Sequence, residues 1–281
     1  MLTVASYFIP SRAFAIVLFG LALSGQVRPA APTFDIEGIR LGMPLKDAMA
    51  SLREHNAKLR LAPESVRLKG TIAPFTYGIN AVGEGEGFYF MVTMPPSEPE
   101  VSKVTWVAHF TGADTIPHQD VLVAGLARRY GRISWDTGPA ALPIGTRDVF
   151  WIDDEQGNRV QLKPRPRCLG QSTYFMNGIR PGSRNQWDPL NVRLPPVAAR
   201  LRIEEGFVNR EDPAAAECTK YTMVHARLFK AQVMGVSTPN LVEYLVLLAA
   251  SGPLDRKATE ATHELWLRNA ISPQGAIAKG K

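Results

Sequence analysis

The side chains best suited to acid–base or metal chemistry fall between positions 109 and 120: His109, Asp114, His118 and Asp120. Imidazole beside carboxylate can pass protons to and from a substrate, and three or four such groups converging can hold zinc. Their spacing matches no zinc-ligand pattern, so the set reads as a hydrolytic candidate without a metal. Its weakness is positional: His109 belongs to a strand pattern and His118 to the start of a helix. Elsewhere, His225 sits in an alternating stretch and His263 lies near Glu260 and Glu264. Neither has a marked nucleophile, because no G-x-S-x-G turn is present. Asp153, Asp154 and Glu155 lack the spacing of a calcium loop and read as a solvated hairpin tip. No cofactor is expected.

A second kind of chemistry is recognition. Lys163, Arg165, Arg167, Arg180 and Arg184 are interleaved with Tyr174, Phe175 and Trp187 in a stretch rich in proline and asparagine. Guanidinium groups and aromatic rings dominate binding hot spots, and a long loop without periodicity is usually functional or disordered; the alternative is an irregular loop whose aromatic rings cover the sheet edge. Cys168 opens this stretch and Cys218 lies beyond it; they are the chain's two cysteines. Joined as a disulfide, they close a loop of about 50 residues, a constraint on the order of 4 kcal/mol in the chain-entropy model. The net charge of +6 favours anionic surfaces. The expected partner is another envelope protein or an anionic envelope surface, not nucleic acid.

These residues need elements to position them. Pro44 suits the first position of a helix in which Leu45, Ala48, Met49 and Leu52 share a face. Strand patterns follow at Val66–Ile72, Phe75–Val82, Gly87–Met94 and Lys103–Phe110, an antiparallel meander. A second helix spans Pro117 to Tyr130, with Val121, Leu122, Leu126 and Tyr130 inward and Gly131 as its stop. Asp148–Asp153 and Asn158–Lys163 read as a hairpin, and Thr219–Phe229 as a strand. Thr238-Pro239 reads as a helix start, with Leu241, Val242, Leu245, Leu248 and Ala249 as its apolar face and Gly252 as its end. Pro253 then opens another helix to about Asn269. The expected fold is α+β: an antiparallel sheet with helices packed on one face, a C-terminal helical hairpin and one disulfide. The segments divide as 34–133, helix–meander–helix; 134–235, β-rich with the long loop; and 236–281, the helical hairpin.

The stretch Gly38-Ile-Arg-Leu-Gly-Met-Pro-Leu-Lys-Asp-Ala48 resembles the opening of small exported bacterial modules, in which such a turn feeds a helix packed on an antiparallel sheet. The outer-membrane assembly lipoproteins of the SmpA/OmlA type and the β-lactamase-inhibitor-protein-like modules share it. Leu126-Ala-Arg-Arg-Tyr-Gly131 is similar to the end of a later helix in many periplasmic proteins. The resemblance covers about a tenth of the chain. It implies binding or assembly rather than catalysis and carries over no site residue. The chain departs from the lipoproteins in lacking their lipid-bearing cysteine.

The amino terminus points the same way. Ala13–Ser24 is an unbroken apolar run after a lone Arg12. It is shorter than the ~20 residues of a membrane span and fits the core of a secretory signal. Ala22-Leu-Ser24 offers a cleavage site, giving a signal over 1–24, with a cut as late as residue 31 the alternative. The expectation is therefore a periplasmic or secreted protein without a membrane span in its mature part. Its role would be binding, with a periplasmic hydrolase using His109 or His118 as the alternative.

Overall fold

In the computed structural model, residues 34–66, 75–111, 116–142, 146–161, 220–233 and 236–271 are described. The chain opens with a two-stranded arch, β1 (Asp35–Ile36) and β2 (Ile39–Arg40), then helix α1 (Leu45–His55). Next come β3 (Arg60–Val66), β4 (Phe75–Val82), β5 (Glu86–Val92) and β6 (Val101–His109). Helix α2 (Gln119–Tyr130), the short β7 (Trp135–Asp136) and β8 (Thr146–Asp153) follow. The long strands β9 (Thr222–Val233) and β10 (Val236–Ser251) lead into helix α3 (Gly252–Ile271). Strands β3 to β10 form one eight-stranded sheet in the order β3-β4-β5-β6-β10-β9-β8-β7. Every neighbouring pair in it is antiparallel. The α+β class and an antiparallel meander thus stand as expected; its first strand, β3, lies ahead of the expected strand 66–72, of which residues 67–72 lie outside the described residues.

Alternation sorts each strand between two faces. Ile79, Phe90, Val104, Leu247, Ala226 and Trp151 point to one face. There they meet Ala48 and Leu52 of α1, Val123, Leu126 and Tyr130 of α2, and Phe34, Ile36 and Ile39 of the arch in a single apolar cluster. The arch connects back to the sheet through Gly42, whose φ of +79° lets its amide donate to the Val101 carbonyl (2.8 Å). On the other face lie Val107, Val246, Leu248, Phe150, Ile152 and Met223. Both faces are buried, as Trp151 and Phe150, adjacent in β8 and pointing opposite ways, are each 0% exposed.

The C-terminal helical hairpin is corrected by this arrangement. Residues 239–251 are not helical: they belong to β10, which pairs with β6 over Tyr244–Ala250 and with β9 over Val236–Ser251. A central strand covered on both sides is apolar at nearly every position, so Leu241–Ala250 offers no alternation to read. Its leucines and alanines also favour helix in isolation. Two ladders outweigh that local preference. Pro239, read as a helix start, falls where the β9–β10 register shifts, a position that tolerates a missing amide hydrogen. Only the second half of the expected hairpin is helical, as α3, with the Ser251 hydroxyl accepting from the Leu254 amide (3.3 Å) near its start.

Three smaller corrections follow. The helices do not all share a face: Asp255 of α3 pairs with Lys103 (2.9 Å), which shares its face with Val107, opposite the side that receives α1 and α2. Val121 of α2 is 64% exposed rather than inward, and Val123 takes its place in the core. The expected hairpin after β8 is a turn with a single bridge, Asp153 to Arg159, among the described residues. Its tip is the anticipated one: Asp154 accepts from the amides of Gln156 (2.9 Å) and Asn158 (2.8 Å). Arg159 then reaches the Tyr130 carbonyl (2.9 Å), satisfying an end that α2 leaves open. At the opposite edge, β3 pairs with β4 alone among the described residues, and Pro63 stands in its middle.

Candidate functional site

The structure places His109 and His118 apart in role. His109 is the last residue of β6; its ring stacks on Tyr244 (centroids 4.2 Å, planes 10° apart) and its Nε2 lies 3.7 Å from Glu243. His118 caps α2 instead. Its Nδ1 accepts from the Asp120 amide (3.3 Å), and its backbone bridges to Leu241. In the β10 register these histidines face Tyr244 and Leu241, three positions apart, so roughly 10 Å of strand separates their backbones. Asp120 is shared: Oδ2 lies 3.6 Å from His118 Nδ1, and Oδ1 accepts from Arg147 (3.0 Å). The two histidines share no reacting point. Asp114 lies outside the described residues. So do Arg165, Arg167, Tyr174, Phe175, Arg180, Arg184 and Trp187 of the recognition stretch, and Cys168 and Cys218.

What the fold does bring together is a buried ionic group that the sequence conceals. The β8–β9 register sets Asp148 opposite Arg227 and Phe150 opposite His225. Asp148 Oδ1 accepts from Arg227 Nε (2.6 Å) and Oδ2 from Nη2 (3.2 Å), a two-pronged pair. The same Oδ1 lies 2.8 Å from His225 Nε2, which must carry a proton to face a carboxylate. The His225 ring stacks on Phe150 (3.8 Å, 18°). All three polar residues are buried. Burial pushes the Asp148 carboxyl up, but the hydrogen bonds and charges of His225 and Arg227 outweigh it and hold the group below the usual carboxylate range.

A second group gathers around Arg147, buried at the margin of the same strand. Its Nε and Nη2 grip both oxygens of Asp136 (3.1 and 2.7 Å). Its Nη1 reaches Gln119 (3.1 Å) and Asp120 (3.0 Å), and Gln119 in turn donates to Asn240 (3.1 Å). Burial works against this guanidinium's charge, and the carboxylates of Asp136 and Asp120 more than compensate, raising its already high pKa. The network ties α2, β7, β8 and β10 together.

The third group is half-exposed. His55, the last residue of α1, directs Nε2 at Glu86 (2.9 Å) and Nδ1 at Glu37 (3.8 Å). Glu86 also accepts from Asn56 (2.8 Å) and Trp106 (3.2 Å). Burial raises the Glu86 carboxyl, and these donors together bring it below its ordinary value.

Asp148 and Arg227 left one signal in the sequence: a lone charge inside an apolar strand pattern. Such a charge needs a partner when both faces are covered, but only the register says which. Among the described residues no group of three or more His, Cys, Asp or Glu side chains is set to hold a metal ion. Nor is any described helix long and apolar enough to cross a membrane. Comparison with protein-family models, curated proteins and solved structures finds no match to this chain.

Proposed function

We propose that this is an exported binding protein of the bacterial envelope, in which the sheet is a rigid support and the stretch from Lys163 to Trp187 engages the partner. The observation that carries the reading is the employment of the acid–base groups. Of the described members of the hydrolytic set, His109 stacks on Tyr244 apart from the others, and the neighbouring His118 and Asp120 are engaged in capping α2 and in binding Arg147. That leaves the arginines and aromatic rings of the stretch as the side chains suited to recognition. In this reading the leader is removed on export, and Cys168 joins Cys218 in an oxidising compartment. The partner presents a negatively charged surface, either a neighbouring envelope protein or lipid headgroups.

A photoactivatable residue in place of Tyr174 or Trp187, in the protein at its native site, tests this directly. We expect a discrete adduct from those positions and none from Lys46, which is exposed on α1. Changing Arg165, Arg167, Arg180 and Arg184 together to serine should remove the adduct and leave the melting temperature within about 3 °C, since surface changes cost little. Equal crosslinking from Lys46, or ester or amide hydrolysis abolished by His109→Ala, would refute the binding reading and favour the enzyme.

A further inference from the structure

The arch makes an unusual choice at its turn. Ile36 pairs with Ile39, so Glu37 and Gly38 are the two turn residues, with φ of +50° and +83°. Positive φ at both positions is the hairpin turn that favours Asn-Gly, and a glutamate there holds a backbone conformation that L side chains rarely adopt. Strain of this kind persists where the side chain has a task. The task of Glu37 is visible: Oε1 accepts from Arg129 Nη1 of α2 (3.0 Å), and Oε2 faces His55 Nδ1 (3.8 Å).

His55 therefore has a carboxylate at each ring nitrogen, Glu37 from the arch and Glu86 from β5, while its ring meets the edge of Phe88 (5.3 Å, 78°). A neutral imidazole has one N–H. If it donates to Glu86, the Nδ1 lone pair faces the negative charge of Glu37; only the imidazolium presents an N–H to each, a hydrogen bond to Glu86 and a longer ionic contact to Glu37. The other polar groups in the cluster do not substitute for it. Trp106 of β6 and Asn56 donate to Glu86, while Arg129 is shared between Glu37 and Asp35. We propose that His55 is an acid-closed latch, which when protonated adds a second clasp between the arch and α1 and β5, and when neutral leaves Glu37 to Arg129. The arch buries Phe34, Ile36 and Ile39 over one end of the core, so the latch governs how firmly that end is covered.

A double-mutant cycle with Glu37→Gln and His55→Asn tests the latch, read by urea unfolding at pH 5 and pH 8.5, either side of the range where free imidazole titrates. The expected coupling is roughly two- to fivefold in the unfolding equilibrium at pH 5, the scale of a half-exposed ion pair, and none at pH 8.5. Equal coupling at both values, or none at pH 5, overturns the proposal. Should His55→Asn fail to fold, Glu37→Gln alone suffices. Its loss of stability against the native protein should then be larger at pH 5 than at pH 8.5, and equal losses would overturn the proposal equally.

Discussion

Replacing Asp148 with asparagine keeps the shape of the side chain and removes its charge. In the native protein that charge is shared by Arg227 at 2.6 Å and His225 at 2.8 Å, and none of the three side chains is more than 9% exposed. The asparagine leaves a buried guanidinium without its counter-charge, and its amide hydrogens face other donors. Removing one partner of a buried pair typically costs about 3–5 kcal/mol. Against a net stability of about 5–15 kcal/mol for a domain, the variant should unfold at far lower urea, with the slope of the transition unchanged. The pH dependence gives a second reading. Asp148 is held below the ordinary aspartate value, so its contribution is present above the unfolded value, near 4, and is lost as pH falls through the lower folded value. Asp148→Asn should therefore lose less stability than the native protein between pH 5 and pH 2. Urea titrations across that range measure both effects. A loss under about 1 kcal/mol at pH 7, with the acid limb unaltered, would refute the claim that this pair carries its charge in the interior.

The strand assignment of β10 predicts that Leu247→Ala and Leu248→Ala, adjacent residues at 1% and 2% exposure, each cost about 2–5 kcal/mol, because alternate residues fill opposite cores. A helix lying on the sheet would spare one of them, so equilibrium unfolding of the two variants separates the alternatives. At Gly78 an added Cβ would sit 2.6 Å from the Tyr89 hydroxyl and 3.2 Å from the Phe90 carbonyl. Gly78→Ala should cost about 1–3 kcal/mol through displacement of β4 from β5, visible as a lowered melting temperature.

The parts of the fold legible in the sequence were those with one wet face. α1 announced itself through Pro44 and the spacing of Ala48 and Leu52, and α2 through Leu126, Tyr130 and the stop at Gly131. β4 matched its expected bounds because Gly83 follows it directly. β10 was hidden because both its faces are dry, which erases the alternation that distinguishes strand from helix. The histidines of the acid–base candidate set, His109 and His118, proved to be a stacking partner and a helix cap. The ionic groups that matter to the interior join residues 77 and 79 positions apart, a relation created by register alone.

Pro63 gives the outer margin of the sheet a particular character. A stranger's backbone laid along β3 would seek a continuous row of donors and acceptors, and at this position no amide hydrogen exists to offer. One missing rung in a seven-residue strand breaks the template at its centre. Copies of the protein crowded together are thereby discouraged from zipping into ribbons along this side.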